Sequence, residues 1–214
     1  MNFWPIATLI CLALSVTSAA LAQDVVGSIS EIKGTAQLER DGHNLNPISA
    51  MPIKLHDKLH TTSDANLTIT LNSGSRVMLF GSSSIVINNQ SFVNQSRDHF
   101  MIDLLVGHVR CTVVKVPLMA ISGFEVHAPN AIVVARGTEF EVAHILGKSC
   151  PDSPPCRRYT DVSVYKGIVE VNNPADPTLL PVRVRQGYET EVPCELPPTS
   201  PNPLGMNELG TSGY

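Results

Sequence analysis

The chain has 214 residues, a formal net charge of −4 and only 5% aromatic residues. A domain of this size buries most of its apolar surface without needing metals or disulfides merely to fold. Its mildly acidic balance argues against nucleic acid or an anionic membrane surface as the main partner.

Residues 1–22 read as a secretory signal peptide. An apolar run from Phe3 to Val16 leads to Ala20-Leu21-Ala22 before Gln23, with small residues at the two positions a signal peptidase reads. The segment carries no Lys or Arg, and an uncleaved anchor is the competing reading. No basic stop-transfer cluster follows it. The expectation is therefore an exported chain, periplasmic or secreted, with no membrane span after cleavage.

From Val25 to about Val192 the pattern is strand and turn. A glycine followed by a short alternating stretch recurs six times, at Gly34, Gly74, Gly107, Gly137, Gly167 and Gly187. Typical copies are Gly74-Ser-Arg-Val-Met-Leu and Gly107-His-Val-Arg-Cys-Thr-Val. Glycine turns the chain where other residues are strained, and alternation marks a strand with one buried face. Phe100 to Val106 reads as a strand that ends at Gly107. No segment holds helical periodicity for two turns. The sequence thus predicts an all-β domain over residues 23–192, solenoid-like or sandwich-like, with no substantial helix outside the signal peptide. Residues 146–158 read as an exposed polar loop, and residues 193–214 as a Pro-rich flexible tail.

Beyond the signal peptide lie four cysteines, Cys111, Cys150, Cys156 and Cys194. In an exported protein an even number favours disulfides over a zinc site, with three connectivities open. The short loop between Cys150 and Cys156 favours a local bridge, leaving Cys111 to pair with Cys194. No metal or cofactor is expected.

Chemistry-bearing residues are scattered. Glu139 and Glu141 lie two apart on one strand and share a face. Side chains on one strand point outward in parallel, so a solvated face is the expectation over an acid/base pair. Arg136 reads as a partner for carbonyls or Glu139, and Thr138 as a partner for local backbone. His56 and His60 are four apart, but in a strand–turn region that does not support a helical metal pair. No nucleophile elbow, phosphate loop or dinucleotide fingerprint is present. The reading is non-enzymatic, with no catalytic residues assigned.

The stretch Arg136-Gly137-Thr138-Glu139-Phe140-Glu141-Val142 resembles the core of the FecR domain family. Gly27 to Gly34, Arg40-Asp41-Gly42, Leu59 to Ala65, Leu71 to Ser75, Leu105 to Val109 and Val164 to Val171 follow the family pattern in order, closed by Gly187. In this resemblance Arg136, Gly137, Thr138, Glu139, Phe140 and Val142 are structural motif residues. Members of that family join a cytoplasmic anti-sigma segment and one membrane helix to a periplasmic β domain that senses an outer-membrane receptor. With a signal peptide in place of the cytoplasmic segment, this chain is not expected to carry the anti-sigma role. Two functions follow as expectations. The first is a non-catalytic β module binding a protein or glycan at the cell envelope, and the second a signalling regulator acting in trans with an iron-uptake-type receptor and sigma factor.

Overall fold

Alternating apolar residues need a second layer to cover them, and this chain supplies it by sending its strands alternately into two sheets. The structure is a computed structural model describing residues 25–88, 100–115, 123–150, 155–176 and 178–205. It is all-β: seventeen strands and, among the described residues, no helix. Residues 1–22, expected to be a signal peptide, lie outside the described residues.

The first sheet runs β4 (Pro52–Lys54), β1 (Val25–Lys33), β6 (Asn66–Leu71), β7 (Arg76–Leu79), the second half of β9 (Phe100–Thr112), β12 (Glu139–Leu146), β13 (Arg158–Lys166), β16 (Tyr188–Pro193) and β17 (Asn202–Pro203). The second runs β3 (His43–Leu45), β2 (Ala36–Arg40), β5 (Lys58–Thr61), β8 (Ser84–Asn88), the first half of β9, β10 (Phe124–Ala128), β11 (Ala131–Ala135), β14 (Ile168–Asn172) and β15 (Val182–Arg185). Both sheets are open. All pairings are antiparallel except β9 with β10.

One core lies between them. Ile29, Ile69 and Val77 from the first sheet and Leu38, Leu59 and Ile85 from the second are at most 1% exposed. Across the layers Phe124 and Phe140 meet edge-on at 6.3 Å. Burying such side chains contributes about 1.5–3 kcal/mol each before the entropy of ordering is subtracted.

Glycines sit where the chain crosses between the sheets: Gly34 leaves the first for the second, Gly137 returns to it, Gly167 leaves again and Gly187 returns. Gly74 instead closes the β6–β7 hairpin. Gly107 does not end a strand, as expected from sequence, but bends one. β9 continues through it to Thr112 and so belongs to both sheets. Its φ is +92°, and a Cβ there would stand 2.5 Å from the Ser83 Cα. Only glycine allows both the left-handed conformation and that approach.

Two further expectations are corrected. Residues 193–205 are not a flexible tail: Pro193 belongs to β16, the Thr199 amide donates to the Glu191 carbonyl at 2.8 Å, and β17 pairs with Tyr188 and Glu189. Backbone pairing to an open strand edge orders a segment with little apolar content of its own.

The disulfide joins Cys156 to Cys194, while Cys111 and Cys150 are buried outside it. Cys111 cannot meet Cys194. It faces the core on β9, three strands from β16 in the order β9-β12-β13-β16. That separation is about 14 Å at normal strand spacing, twice what a disulfide spans. Cys150 does lie across the loop from Cys156, its amide donating to the Cys156 carbonyl at 2.9 Å, but Cys194 holds the sulfur.

Candidate functional site

The outer face of the first sheet collects the polar residues that alternation turns away from the core. β7 presents Arg76 and Met78, β9 presents His108, Arg110 and Thr112, β12 presents Glu139 and Glu141, and β13 presents Tyr165. Register then decides which of them meet. Glu141 lies opposite Arg110, and Glu139 opposite Thr112.

At the centre of this face Glu141 is surrounded by donors. The His108 ring is 3.1 Å from its Oε2, the Tyr165 hydroxyl donates to Oε2 at 3.0 Å, and Arg110 Nη1 donates to Oε1 at 3.2 Å. Arg110 also holds Glu139, through Nη2 at 2.6 Å and Nε at 3.1 Å, and lies 4.4 Å over the Tyr165 ring. Phe80 stacks on His108 at 4.2 Å. Burial works to raise the Glu141 carboxyl, but the hydrogen bonds from His108 and Tyr165 and the charges of His108 and Arg110 outweigh it, so it sits below its ordinary range. Burial and the bond to Glu141 push the Tyr165 hydroxyl up to about 12.

Glu139 and Glu141 therefore share one face, as expected, yet they are held in an ion-pair network rather than left solvated. A carboxylate kept ionised suits charge display, not proton donation near neutrality.

Beside the network lies a shallow cleft of about 230 Å³ lined by Glu31, Thr68, Arg76, Arg110, Thr112 and Glu139. Arg76 is exposed there and makes no ion pair among the described residues. No group of three or more His, Cys, Asp or Glu among the described residues could hold a metal ion. No helix among them is long and apolar enough to cross a membrane.

The motif Arg136-Gly137-Thr138 is placed differently from its sequence reading. Arg136 is exposed, and Glu139 takes Arg110 instead. Thr138 is 2% exposed with its hydroxyl unbonded among the described residues, and its methyl would meet a Cβ at Gly167 at 2.8 Å. Its backbone carbonyl accepts from Val113 at 2.8 Å. Thr138 is thus packed into the β12 corner. Phe140 and Val142 are fully buried in the core.

The same outer face has a second, closed end. Ile145, Tyr159, Cys150, Cys156 and Cys194 form a small apolar cluster apart from the main core. Glu191, 1% exposed on β16, accepts from the Cys150 thiol at 2.5 Å. On the opposite side of β12, His144 is 2% exposed. Its Nδ1 meets the Thr160 hydroxyl at 2.9 Å, and that hydroxyl donates to Asn130 at 2.6 Å. Burial, helped by the charge of Arg158, lowers the His144 ring to about 4.

Sequence reading missed His108, Arg110, Tyr165 and Glu191 as members of these clusters. Alternation along β9 puts His108 and Arg110 on one face. Only the cross-strand register joins them to Glu141.

Two crystal structures of a candidate anti-sigma factor from Parabacteroides distasonis ATCC 8503 are similar in fold, with TM-scores of 0.51 and 0.50 at 17% identity. In both, the match covers 72% of this chain and 62% of the other, so the chain spans less than two thirds of their length. No curated protein matches the sequence. A family model described as FecR protein matches residues 57–170, from just before β5 into β14. That match takes in more than half of the sequence, including the Arg136–Val142 motif and the whole ion-pair network, and the chain accordingly belongs to the FecR family.

Proposed function

We propose that this FecR-family chain is an exported, non-catalytic signalling regulator that recognises a protein partner through the outer face of its first sheet. The observation that carries the reading is the Glu141 site. Its carboxylate is ionised and already engaged by His108, Arg110 and Tyr165, which makes a stiff display of fixed charge beside the cleft. Arg76, exposed at the rim, offers a cation to a carboxylate on the partner. Family membership and fold similarity to a candidate anti-sigma factor support a role in regulation. The reading of residues 1–22 as a signal peptide supports a role in the periplasm or outside the cell.

Transcript profiling of a strain lacking the gene tests the reading. A regulator changes a defined set of transcripts, which the wild-type chain restores and Arg76→Glu, folded and equally abundant, does not. An unchanged profile, or full restoration by Arg76→Glu, contradicts it. Tight binding of the purified chain to envelope glycan, with no transcriptional effect, points to the glycan-binding alternative instead.

A further inference from the structure

Cys156 precedes β13, the strand paired on one side with β12 and on the other with β16. It therefore has a cysteine on each flank. Cys150, after β12, shares a backbone hydrogen bond with it at 2.9 Å, and Cys194, after β16, shares its disulfide. All three belong to one small cluster with Tyr159 and Ile145. Beneath them the buried Glu191 carboxylate accepts the Cys150 thiol proton in a hydrogen bond. Cys194 itself is held at φ +41°, a left-handed conformation that is strained for an L-residue.

We propose that Cys150, Cys156 and Cys194 form a thiol–disulfide exchange site in which Cys156 swaps its bridge between its two neighbours, with Glu191 as the proton acceptor. Glu191 takes the proton from Cys150. The resulting thiolate attacks the Cys156 sulfur, the Cys150–Cys156 bond forms, and the Cys156–Cys194 bond breaks with its electron pair leaving on the Cys194 sulfur. Cys194 then takes up a proton. One thiol and one disulfide stand on each side of the step, so no oxidant or reductant is consumed. The product closes the β12–β13 loop and unties the chain after β16. Exchange converts a bridge that fastens the C-terminal segment into one that does not. The proposal is independent of the regulatory reading and stands or fails on covalent connectivity alone.

Non-reducing peptide mapping tests it on the full exported chain. Oxidised protein is held at mildly alkaline pH, quenched in acid, unfolded, blocked with an acid-active thiol reagent and digested. The expected result is blocked thiol at both Cys150 and Cys194, each with the complementary bridge. Cys150→Ser abolishes the Cys194 label, and Glu191→Gln slows the approach to equilibrium severalfold. Cys194→Ser yields a Cys150–Cys156 bridge. Label confined to Cys150 at all times, with Cys156–Cys194 intact throughout, overturns the proposal. So does a folded Cys194→Ser chain that leaves Cys150 and Cys156 reduced under oxidising conditions.

Discussion

The two ends of the outer face of the first sheet are built from the same alternating strands, yet they are held by different physics. At the open end Glu139, Glu141, His108, Arg110 and Tyr165 are fixed by hydrogen bonds and charge, partly exposed to water. At the closed end Cys150, Cys156, Tyr159 and Glu191 are buried, and a covalent bond fastens the cover. Charge networks at a wet surface individually contribute little to stability. A buried bridge is strong, and it changes only by chemistry. One sheet face can thus offer a recognition surface at one end and a latch at the other.

The largest effect that separates the ends is loss of the latch. The bridge closes a loop between positions 38 residues apart, so Cys156→Ser should cost about 2–4 kcal/mol in chemical denaturation. The same substitution should leave the His108–Glu141 contact intact, as read from unchanged NMR chemical shifts of the His108 ring protons. A loss near zero would mean the bridge contributes nothing to stability.

Acid should act first on His144, on the core side of β12, and only later on the open end. His144 binds a proton at 6.5 when unfolded but only at about 4 when folded. The unfolded state therefore binds more protons between those values, and stability falls as pH drops from 6.5 toward 4, by roughly 3 kcal/mol in total. Glu141 has the opposite charge type but the same sign: its folded value lies below the ordinary 4.5, so its contribution is present above 4.5 and is lost only as pH falls further. Urea titrations across this range should show two separable declines, with His144→Gln flattening the first and Glu141→Gln the second. A single decline unaffected by His144→Gln would contradict the assignment.

At the open end Arg110→Ala should cost about 1 kcal/mol, because the pairs it makes are partly exposed. Smallest of all is Arg76→Glu, within about 0.5 kcal/mol on folding, since no described contact depends on it. A larger cost would show that Arg76 supports the fold and would remove it as a recognition probe.

The fold was legible because alternation and glycine spacing are local signals. The strands after Gly74 and Gly137 stand where the pattern put them, and Gly137 and Gly167 do turn corners. Gly107 was misread because a bend within one strand and a turn between two look alike in sequence. The clusters were less legible. Glu139 and Glu141 share a face by period alone, but their partners come from β9 and β13, and register is a long-range property. Cysteine pairing failed for the same reason: loop length favoured Cys150 with Cys156, while the β13–β16 ladder, invisible locally, brings Cys194 to the same sulfur.

Hydrogen exchange read by mass spectrometry, on the oxidised chain and after selective reduction of its bridge, tests most directly whether the two ends are held separately. Protection should fall across residues 188–205 on reduction and stay unchanged across β9 and β12 at the Arg110–Glu141 network. Equal protection over 188–205 in both states, or loss spreading through the network, would contradict the division of this face into a latched end and an ion-paired one.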